Sequence, residues 1–118
     1  MLEAGKNKKE VKVIDEETSC FTYASDLAKK TKEIIEAEKP FGIYHAVNSD
    51  PCTWYEAVLE LYKQARIRTK VLPVSGDEFP RPAKRPYYSA LLNTKLNPMR
   101  SWRDALKDYL RDSRIKTK

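Results

Sequence analysis

Apolar and polar positions alternate in "VKVI", residues 11–14, and β-branched residues at every second place predict a short strand there. After the polar turn "DEETS" the period changes. Leu27, Ala28, Thr31, Ile34 and Ile35 recur at helical spacing, with Thr22 or Ser25 able to cap the start and Pro40 closing the pattern. "FGIYHAVN", residues 41–48, is a nearly unbroken apolar run of strand type and predicts a strand covered on both faces. Thr53 and Glu56 then form a T-x-x-E capping box. Behind it Trp54, Ala57, Val58, Leu61, Tyr62 and Ala65 make one continuous helical face. "TKVLPV", 69–74, reads as a third strand, placed at an edge by Pro73. Asn93 can cap a short helix at "TKLN". Ser101 opens a last helix whose Trp102, Ala105, Leu106, Tyr109 and Leu110 share a side.

The order β-α-β-α-β-loop-α argues an α/β class with parallel pairing, and three short strands are few for a free-standing sheet. At 118 residues the chain is one domain at most, expected over 1–112, with 113–118 a frayed basic tail. The longest apolar runs are far below the ~20 residues a bilayer span requires. The N-terminus lacks the apolar stretch of a signal peptide. Cys20 and Cys52 have no metal-type spacing and predict two reduced thiols, so the chain reads as cytoplasmic and independent of membranes.

Charge is uneven. Residues 1–79 carry 12 Lys+Arg against 14 Asp+Glu, whereas residues 80–118 carry 11 against 3. A basic end points to an anionic partner, but no nucleic-acid motif accompanies it, and one phosphorylated small molecule needs only one or two cations. Only Gly5, Gly42 and Gly76 are glycines, so no glycine-rich phosphate cradle exists on this chain. No Tyr is followed four places later by Lys, which leaves no Tyr/Lys proton relay at helical spacing. His45, the single histidine, falls inside the apolar run and reads as structural. No spacing suggests a metal site. The composition therefore offers no free-standing catalytic centre.

"FPRPAKRPYYSALLNTKL", residues 79–96, stands apart. Pro80, Pro82 and Pro86 fix φ and remove three backbone donors, so the segment loses little entropy in presenting side chains to a ligand. Arg81, Lys84 and Arg85 can then meet a diphosphate, arginine in bidentate geometry; the alternative is a rigid surface crossover whose charges face water.

Taken together, "TYASDLA", "GIYHAVNSDPCTWYEAVLELYKQA", "KVLPVSGDEFPRPAKRPYYSALLNTKL" and "SWRDALKDYL" resemble the C-terminal, substrate-binding part of the dTDP-4-dehydrorhamnose reductases, of the extended short-chain dehydrogenase/reductase superfamily. The resemblance covers roughly residues 11–110. It implies the α/β substrate-binding part of such a reductase, with about three short strands, three to four helices and no complete Rossmann domain. It implies a dTDP-sugar ligand held by Arg85 and Ser89, with Arg81 and Lys84 beside them and Thr22 and Trp54 shaping the same region. NADPH is implied for the full-length member, which reduces a 4-keto sugar nucleotide in dTDP-L-rhamnose biosynthesis. No cofactor is expected on this chain, which is expected to be inactive alone and to pair with a missing Rossmann half or with itself. The alternative is a non-catalytic regulatory or partner-binding module of the same fold, like the methionine adenosyltransferase beta subunit. One departure matters. Where the family reads like D-Q-x-G-x-P-T, this chain reads "EETSCFT", with Glu17 for the Gln, Ser19 for the Gly and Phe21 for the Pro. A carboxylate at position 17 is expected to repel an anionic ligand.

Overall fold

A computed structural model describes residues 1–116, with side chains through Ser113. The chain forms two compact units, Met1–Ser19 with Pro51–Ser89, and Cys20–Asp50 with Ala90–Lys118.

In the first unit, β1 (Glu10–Ile14) pairs in parallel with β4 (Lys70–Val74), Val11 opposite Val71 and Val13 opposite Pro73. Both strands are edges of this two-stranded sheet, so the missing amide of Pro73 is tolerated. Helix α3 (Trp54–Ala65) covers the sheet. Val11, Val13, Val58 and Tyr62 form its core, with Ala4, Tyr55, Leu61, Ile67 and Val71 packed around them. The expected capping box is present: the Glu56 amide donates to Thr53 Oγ1 at 3.2 Å and the Thr53 amide to Glu56 Oε2 at 2.8 Å. Arg66 ends the helix in the left-handed region, φ 56°.

A helix the periodicity does not predict, α1 (Leu2–Asn7), docks on α3. Gly5 makes this docking possible, because a Cβ there would lie 2.7 Å from the Tyr62 ring. Two further two-residue strands, β2 (Thr18–Ser19) and β3 (Cys52–Thr53), pair antiparallel. Cys52 is buried, and no disulfide joins it to Cys20.

The polar turn after β1 fastens three separate segments. Asp15 Oδ1 accepts from the Thr53 hydroxyl at 2.6 Å. Glu16 Oε2 accepts from the Gly76 amide at 2.9 Å and the Ser75 hydroxyl at 3.1 Å, holding the 3-10 turn Gly76–Glu78. Glu17 binds Arg81 through both carboxylate oxygens.

In the second unit, α2 (Ala24–Glu36) begins after Tyr23, which caps without a side-chain bond. Neither Thr22 nor Ser25 caps it as the pattern predicts. The Thr22 hydroxyl instead accepts from the Asn48 amide at 3.4 Å. The helix ends at Ala37, with Glu38 at φ 48°, before Pro40 is reached. Its apolar stripe is not buried: Leu27 and Ile35 are exposed.

Residues 41–48 are a correction to the sequence reading. They form no strand, and Phe41, Ile43 and His45 are exposed. An apolar run becomes a strand only when another strand supplies hydrogen-bond partners, and none lies beside it among the described residues. Side chains supply substitutes. Asn93 Oδ1 accepts from the Val47 amide and Asn93 Nδ2 donates to the Val47 carbonyl, both at 3.1 Å, while Lys95 Nζ donates to the Ile43 carbonyl at 3.0 Å. Asn93 therefore does not cap a helix, and residues 94–96 form bends.

Helix α4 (Trp102–Lys116) follows Ser101, whose hydroxyl accepts from the Arg103 amide at 3.3 Å. Of the predicted face it buries Trp102, Ala105 and Leu110, while Leu106 is half-buried and Tyr109 exposed. The helix continues through Lys116, into the stretch expected to fray; of that stretch, residues 117–118 lie outside the described residues.

Candidate functional site

Within the first unit, a cleft of about 330 Å³ opens beside β1 and the start of α3. Lys12, Val13, Glu17, Trp54, Phe79, Arg81 and Arg85 are among the residues lining it. Three local causes bring them together. The capping box orients the first turn of α3, so Trp54, its first residue, projects half-exposed rather than joining Ala57 and Val58 in the core. The 3-10 turn fastened by Glu16 delivers Phe79, also half-exposed. The proline segment is then held on both sides of Arg85.

On one side Arg81 grips Glu17 in a two-pronged pair whose side chains are 32% and 15% exposed. On the other, the Thr18 amide donates to the Tyr87 carbonyl at 2.8 Å and the Ser89 amide to the Thr18 carbonyl at 2.9 Å. Residues 87–89 thus lie alongside β2 in parallel, through the bridge of Tyr88 with Thr18. Between these anchors, two of the three prolines, Pro82 and Pro86, restrict the backbone.

The cations of the segment differ in state. The Glu17 hydrogen bond raises the Arg81 guanidinium above its ordinary pKa, and Arg81 is committed to that pair. Lys12 is likewise held charged by Glu78, 2.9 Å away. Arg85 lines the cleft with no hydrogen bond or ion pair to another described residue, leaving five guanidinium donors for a ligand. Lys84 is exposed and does not line the cleft. The Ser89 hydroxyl donates to the Thr18 carbonyl at 3.4 Å, so Ser89 shapes the segment rather than facing the cleft. Thr22 belongs to the second unit and does not line this cleft.

Of the residues named from the sequence, Trp54, Arg81 and Arg85 line this cleft, and Lys12 and Phe79 line it without having been named. Phe79 was legible as an exposed aromatic entering a stiff cationic segment. Lys12 has no local signal, since its position is set by strand alternation and its partner Glu78 is 66 residues away. Glu17, expected to repel an anionic ligand, is paired with Arg81 in the cleft wall.

A dinucleotide does not fit these residues. The turn leaving β1 presents Asp15, Glu16 and Glu17 where a pyrophosphate would need amides and glycine, and Gly5 is occupied by Tyr62. Among the described residues no three His, Cys, Asp or Glu side chains gather as metal ligands. No described helix is long and apolar enough to cross a membrane. The arrangement is one for binding: an unpaired arginine beside two aromatic faces, in a wall of neutralised charge.

Known proteins share this arrangement of elements. The family model "RmlD substrate binding domain" matches residues 1–115. The chain is 32% identical over 116 residues to the spore coat polysaccharide biosynthesis protein SpsK of Bacillus subtilis, matching 95% of this chain and 40% of that protein. A dTDP-4-dehydrorhamnose reductase crystal structure from Clostridium acetobutylicum superposes with a TM-score of 0.89 at 35% identity, over 96% of this chain and 42% of the other. The dTDP-4-dehydrorhamnose reductase of Bacillus anthracis, solved in complex with NADP, gives 0.88 at 28% identity, over 94% and 41%. The chain therefore spans about two fifths of the length of these relatives. On the match from Met1 to residue 115, the chain belongs to the RmlD substrate binding domain family, the substrate-binding part of the dTDP-4-dehydrorhamnose reductases.

Proposed function

We propose that the cleft between β1, Trp54 and the proline segment binds the nucleotide diphosphate of a dTDP-sugar. In this reading the chain is the substrate-binding portion of an enzyme that reduces a dTDP-4-keto-6-deoxy sugar with NADPH. The observation that carries it is Arg85, unpaired in a cleft with Trp54 and Phe79, on a segment anchored at both ends. A planar base has two aromatic faces to stack on, and a phosphate has a guanidinium to engage in a fork. Arg85 and Trp54 are the principal contacts; Arg81 is held by Glu17, Lys84 adds positive potential from outside the cleft, and Ser89 acts through the backbone geometry of the segment. Reduction itself is assigned to cofactor-bearing residues such as those of the longer relatives, because the residues here do not fit a dinucleotide.

Isothermal titration with dTDP tests the site. Arg85→Ala is expected to weaken binding by about 1.5–3 kcal/mol, the range of a charge-assisted contact to phosphate. Lys63→Ala, which removes a charge whose side chain is 80% exposed, is expected to leave binding unchanged. Equal losses in the two variants would mean that general positive charge, and not Arg85, holds the ligand.

A further inference from the structure

Glu17 and Arg81 occupy the wall of the same cleft as Arg85, and their pairing consumes the second guanidinium that a diphosphate would otherwise meet. We infer that this ion pair is a specificity device: Glu17 holds Arg81 away from the ligand and sets how much negative charge the cleft accepts. The inference rests on the reading of the cleft as a phosphate-binding site and assigns a role to a residue which that reading leaves unused.

The charged side chains lining the cleft are Lys12, Arg81 and Arg85 against Glu17, and Lys12 is bound in turn by Glu78. With both ion pairs formed, one uncompensated cationic side chain, Arg85, remains for the ligand. The Glu17–Arg81 pair is partly shielded, the carboxylate more than the guanidinium, so the accessible member is the cation. A diphosphate, with two phosphoryl groups to place, must therefore share Arg81 with Glu17 and approach a fixed carboxylate. A single phosphoryl group is satisfied by Arg85 alone. Removing the carboxylate charge frees Arg81 and lifts the repulsion. The anchoring function of Glu17 is largely kept by an amide of the same shape, since Pro82, Pro86 and the Tyr87–Ser89 bonds to Thr18 still restrain the segment.

The expected outcome is that Glu17→Gln tightens dTDP binding about tenfold, the size of one added charge-assisted contact, and tightens dTMP binding much less. Glu17→Gln/Arg81→Ala is expected to return dTDP affinity to or below that of the unaltered chain, which a merely structural effect of position 17 would not produce. The probes are dTDP, dTMP and thymidine, titrated into the full chain at two salt concentrations, with circular dichroism confirming folding. Thymidine affinity is expected to stay constant across the variants. If Arg85→Ala weakens dTDP while Glu17→Gln leaves it unchanged or weaker, the inference is overturned and the binding reading stands. If neither the unaltered chain nor Glu17→Gln binds dTDP, both fall together.

Discussion

At the scale of single residues, Asn48 organises the second unit. It is 1% exposed, and each of its polar groups has a partner. Its Nδ2 donates to Asp26 Oδ2 at 2.9 Å and to the Arg100 carbonyl at 3.1 Å, while its Oδ1 accepts from the Tyr23 amide at 2.8 Å. Arg100 clasps Asp26 through Nε and Nη2, at 2.8 and 2.9 Å, and reaches Asp108 through Nη1 at 2.6 Å. Asn48→Ala leaves a buried amide and a carboxylate short of partners. It is expected to cost about 2–3 kcal/mol, read as a lower urea midpoint. The Arg100 guanidinium, and less strongly the Asn48 amide, hold the Asp26 carboxyl below the ordinary carboxylate range against the opposing effect of burial. A depressed pKa contributes stability above the unfolded-state value, about 4, and loses it as the pH falls through the folded-state value. Thermal unfolding from pH 6 down to pH 3 is expected to show a declining midpoint that flattens in Asp26→Asn. None of this cluster was legible from spacing, because Asp26 and Arg100 are 74 residues apart. The same holds for Glu17 and Arg81, 64 apart, which the sequence shows only as a carboxylate in an unexpected place.

At the scale of elements, legibility follows how much of each element's stability is local. Helix α3 was readable because its start signal and its apolar face lie within one window. The strands β1 and β4 were readable because β-branched alternation marks them, and their parallel pairing follows from the intervening helix. Helix α1 was not, since six residues with a central glycine have little intrinsic helicity and depend on Gly5 meeting Tyr62. Residues 41–48 and 93–96 failed in the opposite sense: apolarity suggested a strand and Asn93 a helix cap, but Asn93 and Val47 satisfy one another. The Thr53 hydroxyl links two elements, accepting from the Glu56 amide and donating to Asp15 at the end of β1. Thr53→Ala is expected to destabilise the first unit by about 1–2 kcal/mol, at the upper part of the N-cap range because Asp15 also loses its donor. Thr53→Ser is expected to retain most of this. Urea titrations of the two variants check the difference.

At the scale of the whole chain, the second unit leaves large apolar side chains exposed, among them Leu27, Ile35, Phe41, Ile43 and Leu92. Ala24, Leu27, Ala28, Thr31 and Ile35 make an open, largely apolar stripe along α2. Phe41 and Ile43 stand exposed on a segment beside which no strand lies among the described residues. Contiguous apolar patches and extended segments without a neighbour both favour association. The sequence showed the same imbalance in another form, as an apolar run at 41–48 that needed cover and had too few strands to provide it. The chain is therefore expected to self-associate at micromolar concentration, with sedimentation coefficients that rise with concentration. Leu27→Asp/Ile35→Asp is expected to shift the distribution toward monomer without lowering helicity, because neither side chain is buried. Phe41→Ser/Ile43→Ser is expected to do the same if the extended segment takes part in the contact. Hydrogen exchange locates the surface: amides of 41–47 should exchange rapidly in the monomeric variants and slowly in the associated parent. A parent chain that stays monomeric at all concentrations, with protected amides at 41–47, would show that these apolar groups close on the chain itself.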